Sequence, residues 1–132
     1  MEFYQQFVKE TYDADGVLTE FAIQCPEHFN FGYDVVDALA EKDPKKLCMV
    51  WCDQEDRERY FTFGEMARLS NQAANVLKAH GIGKGDRVML MLKRNYEYWY
   101  IIVALHKLGA VAIPATHTLM AADIAYRIQA VN

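Results

Sequence analysis

Apolar residues recur along the chain at two spacings. Over residues 34–42, DVVDALAEK, Val35, Val36, Leu39 and Ala40 fall on one side of a helix; Asp34 is placed to cap it, and Pro44 lies just past its end. The apolar run LCMVWC, Leu47 to Cys52, has strand length, and Arg59 to Thr62 predicts a second strand after the polar turn Asp53 to Glu58. Thr62 and Glu65 stand at capping-box spacing, so a helix is expected to open there. Met66, Ser70, Ala73 and Leu77 share one face of it, and Arg68, Asn71, Asn75 and Lys78 the other. Arg87 to Leu92 predicts a further strand. Asn95 then caps a helix whose stretch from Trp99 through Leu108 is apolar on most sides, which predicts burial. Gly109 ends it, Ala110 to Pro114 is a short buried strand, and Thr118 or Ala121 opens a last helix with Ile124 and Ile128 facing inward. The first 31 residues carry seven aromatics without a clean period, and Asp15-Gly16 reads as a turn; a short helix and an irregular arm are expected.

Strand, helix, strand and helix in units of about 25 residues predict an α/β fold with a parallel sheet and right-handed crossovers. Its central strands are Val88 to Leu92 and Ala110 to Pro114. The chain divides into an arm over 1–32 and a larger partial domain over 33–132.

The stretch GIGKGDRVMLML raises the question of a phosphate loop. Such a loop follows a strand and opens a helix, aiming free N–H groups and the positive end of the dipole at the anion. Here a helix ends, the glycines follow and a strand begins, so the exposed groups are carbonyls. Gly81 suits the position just past a helix end, where φ is positive, and Lys84 suits the carbonyl end of the dipole. Neither a Lys-Ser/Thr pair at the right gap nor a GxGxxG is present.

Composition changes the picture in one direction. A chain of 132 residues with 52% hydrophobic and 24% charged residues fits an ordinary globular domain, and a net charge of −4 offers no basic face for nucleic acid. The longest aliphatic and aromatic run, Trp99 to Leu105, falls short of the roughly 18 residues a spanning helix needs. The opening MEFYQQFVKE lacks an apolar signal core, so a cytoplasmic location is expected. Cys48 and Cys52, on one strand, would stand about 13 Å apart, too far for a disulfide or a shared metal. Cys25 is alone, and His28, His80, His106 and His117 show no ligand spacing; no metal site is expected.

Ligands of a parallel sheet gather at the carboxyl ends of its strands, here Lys93 to Asn95 and Ala115 to Met120. Lys93 and Arg94 fit an anionic ligand or a solvated surface. His117 fits a proton donor or a polar loop residue without a partner to orient it. Tyr96, Tyr98, Trp99 and Tyr100 fit a stacking platform or core packing. There is no Ser/His/Asp or Cys/His constellation.

The succession FNFGYDVVDALA, YFTFGEMARLSNQAANVLKAHGIGKGDRVMLML and YEYWYIIVALHKLGAVAIPATHTLMAADIAYRI resembles the N-terminal region of AMP-forming acyl-CoA synthetases, members of the adenylate-forming superfamily. FTFGEM resembles that superfamily's first core motif and LHKLGAVAIPAT its second; FNFGYDVVDALA and DIAYRIQ point to the medium-chain branch. The resemblance implies part of a three-layer α/β/α domain with a mostly parallel sheet. It implies a two-step ligase using ATP, magnesium and coenzyme A on a small carboxylic acid. The family's phosphate loop, adenine-binding motif, ribose-binding aspartate and catalytic lysine have no counterpart up to Asn132, so these residues alone are expected to bind no cofactor and to be inactive. A truncated sheet predicts self-association through its exposed edge. The loop Ala115 to Met120, with Thr116, His117 and Thr118, is expected on the coenzyme A side of the parent enzyme. Two alternatives stay open: a complete small α/β nucleotide-binding module, and a stand-alone interaction domain.

Overall fold

The computed structural model describes residues 2–131; Met1 and Asn132, the outer ends of the two expected segments, lie outside the described residues. After a short 3-10 helix, Phe3–Gln6, the chain forms an antiparallel hairpin of β1 (Val8–Tyr12) and β2 (Leu18–Ile23). This replaces the irregular arm expected from the sequence. The hairpin lacks a buried apolar face, so no period of two announces it. Its turn is built by Asp13, whose Oδ1 accepts the N–H groups of Asp15 and Val17 at 3.0 and 2.9 Å, and by Gly16 at φ +77°. The Phe7 ring meets Phe29 edge-on at 5.1 Å and ties the hairpin to the body.

The helix expected from Asp34 begins earlier. Asn30 caps a π-helical segment, Phe31–Asp37, its side chain accepting from Gly32 and Tyr33, and α1 (Ala38–Lys42) continues it. Asp34 reaches back and accepts the Asn30 N–H at 2.6 Å. This reciprocal bonding makes Asn30, not Asp34, the cap.

The strands β3 (Leu47–Cys52) and β4 (Glu58–Thr62) pair antiparallel, and α2 (Phe63–Ala79) follows directly. Both halves of the Thr62–Glu65 capping box are made, at 3.2 and 3.0 Å. Gly81 stands at φ +86° just past the helix, as its place after an amphipathic run predicts. β5 (Arg87–Leu90), α3 (Glu97–Leu108) and β6 (Val111–Pro114) form the strand–helix–strand unit, with β5 and β6 parallel and Arg87 opposite Val111. Gly109, at φ +68°, turns α3 into β6, and its carbonyl accepts the Gly85 N–H at 2.9 Å. Asn95 does not cap α3; Tyr96 holds that position without a side-chain bond, and the Asn95 carbonyl accepts the N–H of Tyr98 instead. The last helix is α4 (Ala121–Ala130), on which Ile128 is 51% exposed rather than turned inward. Ile128 lines a shallow pocket with Arg87, Met89 and Ile113 of the β5–β6 pair.

The fold is thus α/β, and the described residues form three two-stranded sheets, of which β5–β6 is parallel. Leu90, Leu105 and Ala110 centre one apolar cluster between that pair and the helices; Val36, Met66 and Val103 centre a second between the π-helical segment, α2 and α3.

Candidate ligand-binding cleft

Arg94, four residues past β5, is pinned to the β3–β4 hairpin. The Trp51 indole Nε1 donates to the Arg94 carbonyl at 2.5 Å, and the Trp51 ring meets Tyr96 edge-on at 5.3 Å. The Arg59 guanidinium lies 4.3 Å from the centre of the Tyr96 ring and 4.5 Å from that of Phe61, which is fully buried. Two strand pairs distant in sequence are thereby locked around one opening at the carboxyl end of β5.

That opening is a cleft of about 570 Å³ between the β3–β4 turn, the Lys93–Asn95 segment and His117. It adjoins a smaller one of about 300 Å³, which shares Trp51, Cys52, Lys93, Arg94 and Asn95 with it and reaches Tyr98 and Trp99. Among the described residues, neither Lys93 nor Arg94 has a carboxylate within ion-pairing distance. Asp53 and Glu55 of the turn face Arg57. Asp53 Oδ1 accepts the N–H groups of Glu55 and Arg57 at 2.9 Å each, its Oδ2 meets Arg57 Nε, and Glu55 lies 3.1 Å from the same guanidinium. Loss of hydration pushes the Asp53 carboxyl upward; the bonds from Arg57 and Glu55 outweigh it and hold the group below the usual carboxylate range.

The structure therefore gathers Lys93, Arg94 and His117, three of the residues singled out at the strand ends. Thr116 and Thr118 are exposed outside the cleft wall, their hydroxyls 3.0 Å apart. Sequence reading missed the contribution of Trp51 and the β3–β4 turn, which are more than 35 residues from Lys93 along the chain. Among the described residues no group of three or more His, Cys, Asp or Glu is placed to hold a metal. Cys25 and Cys52 are exposed thiols, and burial raises the Cys48 thiol above its ordinary value. No described helix is long and apolar enough to cross a membrane.

A strand–helix–strand unit with an open cleft at its carboxyl edge defines the class: an α/β fold of the kind whose ligands gather at strand ends. Comparison with known proteins then identifies the family. The model of the AMP-binding enzyme family matches residues 36–132, and the chain belongs to that family. It is 37% identical over 121 residues to human mitochondrial acyl-coenzyme A synthetase ACSM3, covering 87% of this chain and 21% of the relative. It is 41% identical over 111 residues to the rat mitochondrial synthetase ACSM4, covering 80% of this chain and 19% of the relative. A fatty acyl CoA synthetase of Mycobacterium tuberculosis superposes over 75% of this chain and 19% of its own, with TM-score 0.67 and 31% identity. Klebsiella oxytoca NpsA, in complex with 3-hydroxyanthranilyl-AMSN, superposes over 79% and 20%, with TM-score 0.68 and 26% identity. The chain spans about a fifth of the length of the curated relatives it matches.

Proposed function

We propose that the chain is part of an AMP-forming ligase that activates a short- or medium-chain carboxylic acid and passes the acyl group to coenzyme A. A carboxylate oxygen attacks the α-phosphorus of ATP, forming the acyl-adenylate and releasing pyrophosphate. The coenzyme A sulfur then attacks the acyl carbon, AMP leaves, and the thiol proton passes to solvent. Magnesium, when bound, would supply neutralisation of the phosphate charge. The observation that carries this reading is the 37% identity, through 87% of the chain, to a relative named as an acyl-coenzyme A synthetase.

Within that enzyme, residues 1–32 serve as an arm and 33–132 as part of a three-layer domain. The Thr116–Thr118 loop follows β6 at the sheet's carboxyl edge, and its exposed hydroxyls and imidazole are the groups this reading assigns to coenzyme A. Replacing Thr116 or His117 by alanine in the complete enzyme raises the KM for coenzyme A; unchanged kinetics would remove this role.

The 132 residues by themselves are catalytically inactive in this reading, because the phosphate loop and catalytic lysine that the family resemblance implies have no counterpart among them. They self-associate through the free edges of β5–β6, where Val111 is half-exposed. Light scattering should show a mass that rises with concentration; a monomer at every concentration would contradict it. A cytoplasmic location belongs to this reading, whereas the relatives named above are mitochondrial. Fractionation of the tagged protein against markers of both compartments decides.

A further inference from the structure

The β1–β2 hairpin is the part of the chain that the family assignment leaves without a role. The AMP-binding enzyme model matches residues 36–132, and the hairpin precedes them. Neither strand has a buried residue. In the pairing, Val8 stands opposite Ile23, Glu10 opposite Phe21 and Tyr12 opposite Leu18, so these six side chains share one face. Tyr4 joins them, its hydroxyl donating to Glu10 Oε2 at 3.3 Å. Tyr4, Tyr12, Leu18 and Phe21 are each half-exposed, and Ile23 is 72% exposed. The opposite face is polar: Lys9 lies 3.6 Å from Glu20, and the Thr11 hydroxyl donates to the same carboxylate at 3.2 Å. A two-stranded hairpin is marginal in water unless its apolar face is covered.

We propose that the apolar face of β1–β2 docks on the same face of a second copy of this chain, giving a twofold dimer. The area supports it. Five side chains of this size and exposure offer about 500 Å² per copy, so two faces would bury about 1,000 Å², the level at which specific interfaces begin. The arrangement of charge suits a twofold axis running along β2. That axis stacks the uncharged Leu18, Phe21 and Ile23 on their own counterparts and sends the two β1 strands to opposite sides, about 10 Å apart. Tyr4, Glu10 and Tyr12 then form a wet polar rim around an apolar centre, and the two Glu10 carboxylates stay apart. The same charges disfavour other partners. Residues 2–23 carry five acids, Glu2, Glu10, Asp13, Asp15 and Glu20, against Lys9, a balance that repels anionic lipid and nucleic acid. The inference is independent of the ligase reading and of the β5–β6 edges.

The test uses the full 132-residue chain carrying Val111→Lys, which charges β6 and blocks association through the β5–β6 edges. Sedimentation between about 1 and 100 µM should show monomer passing to a discrete dimer and stopping there. Phe21→Lys/Ile23→Lys, at exposed positions of the face, should weaken the dimer at least about tenfold with the circular dichroism unchanged. Thr11→Lys, on the polar face and opposite Glu20, should leave it as it is. A second measurement does not depend on the hairpin tolerating two added charges. With the exposed Cys25 and Cys52 replaced by serine, Leu18→Cys should be joined to its counterpart by a short bis-maleimide, and Thr11→Cys should not. A monomer at every concentration, an undiminished dimer in the double variant, or equal cross-linking at both positions would overturn the proposal. So would assembly that continues past the dimer, because a twofold face is used up once it closes. None of these results bears on whether the complete enzyme forms an acyl-adenylate, so the two readings fail separately.

Discussion

Lys107 is the residue at which local pattern and tertiary structure diverge most. It lies near the end of an apolar helix, where a lysine ordinarily snorkels toward water and suits the dipole. Here its side chain is 1% exposed. Its Nζ donates to Asp37 Oδ1 at 2.6 Å and to Asn71 Oδ1 at 2.7 Å, bridging the π-helical segment, α2 and α3. The backbone is shaped around it, since a Cβ on Gly32 would stand 2.5 Å from Lys107 Cγ. Removing one partner of a buried pair leaves the other short of solvation. Lys107→Ala should therefore cost about 3 kcal/mol in urea unfolding. Lys107→Met should cost less, because it refills the space. Equal stability of wild type and alanine variant would show that the bridge is not holding the three helical segments together. Nothing in the spacing of Asp37, Asn71 and Lys107 announces their meeting, because they lie 36 and 70 residues apart and only packing joins them.

At the scale of elements, legibility follows how local the determining forces are. The Thr62–Glu65 box, the Gly81 stop and the parallel β5–β6 pair were readable because each depends on a few adjacent residues or on one period. Thr62→Ala should lower stability by about 1 kcal/mol, measured by chemical denaturation, and a neutral effect would mean the cap is dispensable. The starts of the π-helical segment and of α3 were not readable. Asn30 gains the cap position by trading hydrogen bonds with Asp34 and by donating its Nδ2 to the His106 carbonyl at 2.7 Å, a partner 76 residues away. The β3–β4 turn carries a pH dependence of definite sign. The Asp53 carboxyl titrates lower in the folded chain than in the unfolded one, so its contribution is present above the ordinary carboxylate range, near pH 4, and fades as pH falls through the folded value. Asp53→Asn should be less stable than wild type at neutral pH, and the difference should shrink in acid. A constant difference across that range would assign the loss to something other than ionisation.

At the scale of the whole molecule, the exposed apolar side chains mark where the fold is unfinished by itself. Val111 on β6 and Ile128 on α4 are half-exposed, and Trp99 is half-exposed beside the cleft. A two-stranded parallel sheet is normally covered on both faces and continued at its edges. The candidate site divides in the same way. Its cations and His117 were legible as residues at strand ends. The indole anchor and the aromatic wall were not, because Trp51 and Trp99 reach one groove only after β3 and α3 pack. The chain belongs to the AMP-binding enzyme family and spans about a fifth of the length of the curated relatives it matches.

The most direct test of the central claim is carboxylate-dependent exchange of pyrophosphate into ATP. It is to be measured on the chain alone and on human ACSM3 in which this chain replaces the matching fifth. The chimera should exchange pyrophosphate when a short- or medium-chain acid is supplied, and the isolated chain should not. A folded chimera without exchange, or turnover by the 132 residues alone, would contradict the account.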